Sequence, residues 1–92
     1  MKQELLVMLK ELEEVGDVIF FNNDNVIKVD FNDFYGFTSN GEELMRPYTN
    51  EELVNKVISF LNNNCVSKSG DFYVNYHFND FVVVVGFSSY DI

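Results

Sequence analysis

The stretch 71–87 constrains the fold more than any other part of the chain. Two runs rich in Val, Phe and Tyr, residues 71–78 and 81–87, flank Asn79 and Asp80, a pair suited to a tight turn. A two-residue loop there sets Phe78 opposite Phe81, Tyr76 opposite Val83, Val74 opposite Val85 and Phe72 opposite Phe87. Side chains alternate across a strand, so these residues share one face of the pleat, and all are apolar. That face is expected to meet the core. A one-residue slip would turn the whole set to solvent, which specifies the register strongly.

The rest of the chain supplies what must cover that face. Leu5, Met8, Leu9, Leu12 and Val15 recur at helical spacing over residues 2–15, and Gly16 marks the stop. Two short strands follow, 17–22 and 26–31, around a turn of Asn22, Asn23, Asp24 and Asn25, residue types that tolerate left-handed backbone. Asn32 and Asp33 offer another turn into a third strand, 34–38, and a loop runs from 39 to 48 with the sole proline, Pro47. Thr49 with Glu52 has the spacing of a capping box, and Tyr48 with Leu53 that of a hydrophobic staple. Leu53, Val54, Val57, Ile58 and Leu61 form the apolar stripe of this second helix, which Asn62, Asn63 and Asn64 bring to an end.

The expected order is α-β-β-β-α-β-β. The expected class is α+β, two-layered, with an antiparallel sheet of about five strands and two helices on one face. Residues 1–92 form one domain. A weak internal echo accompanies this order: Gly16 and Asp17 follow the first helix, as Gly70 and Asp71 follow the second.

Two helices cover one face of such a sheet, leaving Tyr73, Asn75, His77, Val82, Val84 and Gly86 on the other. Ile19, Phe21, Val26, Lys28 and Asp30 are expected beside them, with Tyr35 and Phe37 from the third strand. A solvated sheet face reads mostly polar, and this one is about half apolar. Either the 39–48 loop or the 88–92 tail folds over it, or it is an interface with a partner or a second copy. Tyr73, opposite Gly86, reads as a ring laid over bare backbone. From this face Tyr35, Phe37, Tyr73, His77, Val82 and Val84 are the candidate contact residues.

Charge provides a second set of candidates. The chain carries 15 acidic and 6 basic residues, a net charge of −9. Glu11, Glu13, Glu14 and Asp17 gather at the end of the first helix, where the helix dipole disfavours acids, and so suggest a docking patch for a basic partner. Glu42 and Glu43 join them as candidates; Glu51 and Glu52 sit in a helix first turn, where acids belong.

Little in the chain suggests catalysis. Its single Cys65 and single His77 stand in no nucleophile motif, and no Cys/His cluster has zinc spacing. Residues 22–33 lack the order of a calcium loop, and there is no phosphate-cradling glycine loop. The expectation is a non-enzyme with neither cofactor nor metal. Five lysines and one arginine, dispersed, do not make a nucleic-acid track. No apolar run suits a signal peptide or a membrane span, and a lone cysteine suits a reducing cytoplasm.

The expected function is therefore a small acidic inhibitor that masks a basic surface of a nuclease or other nucleic-acid-handling protein, in the manner of a DNA mimic. In composition the chain resembles phage anti-restriction and anti-CRISPR proteins, and an immunity protein would use the same physics. The alternative is a dimeric, chaperone-like adaptor working through the apolar sheet face. The order α-β-β-β-α-β-β is similar to that of type III secretion chaperones, though their terminal helix has no counterpart here.

Overall fold

The computed structural model describes residues 1–32, 34–37, 43–46 and 48–87, with only the backbone of 34–37, 43–46 and 87. The first helix, α1, spans Lys2–Glu14 and buries Leu5, Leu9 and Leu12. Val15, expected in that stripe, lies past the helix end and is exposed. The stop is a Schellman arrangement: Asp17 N–H reaches back to the Leu12 carbonyl (2.9 Å) and Gly16 N–H to that of Glu13 (3.1 Å). It requires a left-handed residue, and Gly16 has φ 81°.

Strands β1 (Val18–Asn23) and β2 (Val26–Phe31) form the first hairpin, with Val18 opposite Phe31 and Phe20 opposite Val29. Asp24, at φ 53°, takes the left-handed position in its turn. Strand β3 (Phe34–Phe37) does not extend this sheet. It pairs instead with β4 (Glu43–Arg46), a strand lying in the expected 39–48 loop, as a separate two-stranded sheet. Helix α2 (Glu51–Asn64) follows and buries Leu53, Val54, Val57 and Leu61. Its three terminal asparagines belong to the last turn, where Asn62 and Asn64 donate side-chain hydrogen bonds to the carbonyls of Ile58 and Phe60.

The final hairpin has the register its alternation demands. In β6 (Val74–His77) and β7 (Val82–Phe87), Val74 is opposite Val85 and Tyr76 opposite Val83. Phe78 N–H bonds the Phe81 carbonyl at 2.8 Å, and the two rings stack at 4.5 Å. The expectation fails at the far end. Phe72 is not opposite Phe87 in a strand but 96% exposed, because β5 (Ser67–Ser69) folds back on β6 and Gly70–Tyr73 forms the connection.

The result is an α+β fold with a five-stranded sheet in the order β1-β2-β7-β6-β5. All neighbours are antiparallel except the central pair, β2 and β7, which run parallel with Ile27 beside Val83 and Val29 beside Val85. The sheet is thus mixed rather than wholly antiparallel. Within it the order of elements is α-β-β-α-β-β-β, since β5 replaces the expected third strand. Both helices lie on one face, where their buried leucines and valines meet Val18, Ile27, Val29, Phe31, Val83 and Val85.

This topology also disposes of the internal echo. With both helices on one face and the central pair parallel, β1 lies outside β2 on one side and β6 outside β7 on the other. The two helix–hairpin halves therefore have opposite hand, and no rotation superposes them. Gly70, at φ 107°, follows a strand rather than a helix.

Candidate interaction surfaces

The acidic end is built around Asp17. This residue was expected to be solvent-facing, yet it is 2% exposed. Its Oδ1 accepts from the Thr49 backbone N–H and its Oδ2 from that of Asn50, both at 2.7 Å. A carboxylate is thereby seated on the unsatisfied donors at the start of α2, where the helix dipole favours negative charge. Asn32 holds the same corner, donating its backbone N–H to the Asp17 carbonyl (2.9 Å) and its side-chain amide to the Gly16 carbonyl (2.8 Å). Asp17 is a structural clasp and leaves the candidate docking set.

The same clasp brings the carboxyl end of α1 against the amino end of α2. Glu11 lines a depression of about 260 Å³ with Asn50, Glu52, Leu53 and Lys56. Glu11, Glu13, Glu14, Glu51 and Glu52 are all exposed there. Glu11, which looks misplaced near one helix's negative end, thus lies beside another helix's positive end. Among the described residues the sole ion pair joins the amino terminus to Glu4, at 4.0 Å. Three of the five lysines are engaged elsewhere: Lys2 donates to the Asp24 carbonyl, Lys68 to Asn62 Oδ1, and Lys28 lies 5.9 Å from the Tyr73 ring centre. Glu42 lies outside the described residues, and Glu43 is placed in β4 by its backbone alone.

The sheet's outer face is the second surface. Across the strands it carries Val26, Val82 and His77 in one row and Phe21, Lys28, Val84 and Asn75 in the next. A third row holds Ile19, Asp30 and Gly86. Phe21 is 63% exposed, Ile19 and Tyr73 each 50%, and Val26 42%. Val82 and Val84 are half-buried. The Tyr73 ring does cover Gly86: a Cβ built on that glycine would lie 2.8 Å from the ring. Lys28 and Asp30 are the charged residues of this face among those described. Tyr35 and Phe37 belong to the separate hairpin and not to this face. Coverage by 88–92, or by 38–42 and 47, concerns segments outside the described residues.

Sequence reasoning missed Phe72. With Gly70, Asp71, Tyr73, Asn75 and Val84 it lines an open depression of about 650 Å³ at the rim of the outer face. The available signal was the Gly70-Asp71 pair, a turn dipeptide that interrupts the strand pattern.

Cys65 and His77 have local engagements. The Cys65 Sγ lies 3.9 Å from the Asn62 carbonyl, and the His77 Nε2 lies 2.8 Å from Ser69 Oγ. Among the described residues no group of three or more His, Cys, Asp or Glu is placed to hold a metal ion. No described helix is long and apolar enough to cross a membrane. Compared with protein-family models, curated proteins and solved structures, the chain matches none.

Proposed function

We propose that this protein is a small, non-enzymatic binding protein that masks a basic surface, such as the phosphate-binding groove of a nuclease or another nucleic-acid-handling protein. The observation that carries this reading is the acidic end of the helical layer. Glu11, Glu13, Glu14, Glu51 and Glu52 are exposed there, and none of them has an ion-pair partner among the described residues. The Asp17 clasp holds the two helix ends that bear them, so the carboxylates sit on a rigid base. A fixed array of unpaired negative charge accelerates encounter with a basic partner and gives specificity against acidic ones.

A second reading takes the outer sheet face as the contact for an adaptor's client. Its support is the exposed apolar strip of Ile19, Phe21, Val26 and Tyr73. One comparison separates the two. The protein is used as bait in a lysate and washed at low and then high salt, and the captured partner is titrated against variants. Charge masking requires that the partner be released at high salt, and that Glu13→Lys with Glu14→Lys weaken binding more than Val84→Ser does. Retention at high salt, with Val84→Ser the more damaging change, would establish the second reading instead.

A further inference from the structure

The two edges of the five-stranded sheet are built differently. The β5 edge is three residues long and carries Lys68 at its centre, the usual means by which a sheet edge avoids further pairing. The β1 edge is six residues long, Val-Ile-Phe-Phe-Asn-Asn, with neither charge nor proline. Among the described residues its one strand neighbour is β2. Of its residues only Val18 is buried; Phe20 is partly so, and Ile19, Phe21, Asn22 and Asn23 are exposed. An edge of this length and composition is a template for another extended strand.

We propose that β1 pairs with β1 of a second copy, antiparallel about a two-fold axis, joining two five-stranded sheets into one continuous sheet. The occupant follows from charge and from self-complementarity. β1 has no carboxylate with which to read a basic strand, so the acidic-end interaction has no role at this edge. A two-fold axis through Phe20 sets Phe20 against its own copy on the helical side. It sets Ile19 against the copy's Phe21, and Phe21 against the copy's Ile19, on the outer side. Aromatic against β-branched is a favourable cross-strand pair, and each occurs twice by symmetry. No carboxylate faces another along the strand: Asp17 falls opposite Asn23 of the copy, and Asp24 opposite Gly16.

Sedimentation velocity across a range of concentrations tests this. Growth from 10.7 kDa to twice that mass is expected. Association should strengthen with salt, because chains of charge −9 repel one another, whereas binding to a basic partner should weaken. Phe21→Lys should weaken the dimer roughly tenfold or more, since the change enters twice. Val84→Lys, at the centre of the outer face, should leave it intact. Amide exchange on the unmodified protein provides a readout independent of any variant: β1 amides should slow as concentration rises. A monomer at every concentration with β1 exchange unchanged overturns the proposal. So does a dimer that Val84→Lys dissociates, whether or not Phe21→Lys also does, because Phe21 shares the outer face with Val84 and the contact would then belong to that face.

Discussion

Asp17 shows how a single residue changes meaning between sequence and structure. In sequence it extends a run of acids; in space its carboxylate is buried and accepts two backbone N–H groups. Removing a buried acceptor leaves its donors unsatisfied, so Asp17→Ala should cost about 2–3 kcal/mol, read as a lower denaturation midpoint. Asp17→Asn should lose less, because its amide oxygen can still accept one of the two bonds. The neighbouring Glu13→Gln and Glu14→Gln, on exposed side chains, should leave the midpoint nearly unchanged. Equal effects at the three positions would remove the clasp from the account.

At the scale of elements, the start of α2 distinguishes two caps. The sequence favours Thr49, with Glu52 completing a capping box. In the structure the cap is Asn50, whose Oδ1 accepts from Leu53 N–H at 3.2 Å, while Thr49 gives its backbone N–H to Asp17. Asn50→Ala should therefore lower stability by about 1 kcal/mol, and Thr49→Ala by no more than a few tenths. Urea denaturation of the two variants is sufficient to rank them. The displacement has a physical cause: Asp17 satisfies the donors of residues 49 and 50 from outside the helix, so the first turn begins one residue later. A local motif could not register a partner 32 residues away. Both apolar stripes, by contrast, were legible, because helical periodicity is a local property. Phe72 was misjudged for a related reason: β5 is too short and polar to announce itself, yet its pairing with β6 turns residues 70–73 into a connection.

For the whole molecule, the governing quantity is a net charge of −9 with one ion pair among the described residues. Self-repulsion of that kind disfavours the compact state, and salt screens it. The melting temperature should rise with sodium chloride, by roughly 4–8 °C if about 1 kcal/mol of repulsion is relieved. A flat or falling response in differential scanning calorimetry would mean that the acids are compensated within the fold. The acidic end that supports the proposed function is the local expression of this imbalance. Its candidate residues Glu11, Glu13 and Glu14 were legible as a run, whereas the meeting of Glu11 with Glu52 depends on the two helix ends being brought together.

What the sequence determined by itself was whatever depends on neighbours a few residues away. It settled the two helices and most of their buried stripes, the hairpin turns at 22–25 and 79–80, and the register that places Val83 and Val85 inside and Val82 and Val84 toward the outer face. Periods of 3.6 and 2 and turn chemistry act over such distances. The tertiary structure alone decided the parallel pairing of β2 with β7, the exclusion of β3 from the main sheet and the burial of Asp17. Each of these depends on which apolar faces can be covered together once distant segments meet. Strand alternation carries no signal for that choice, because a strand presents the same two faces to a parallel neighbour as to an antiparallel one.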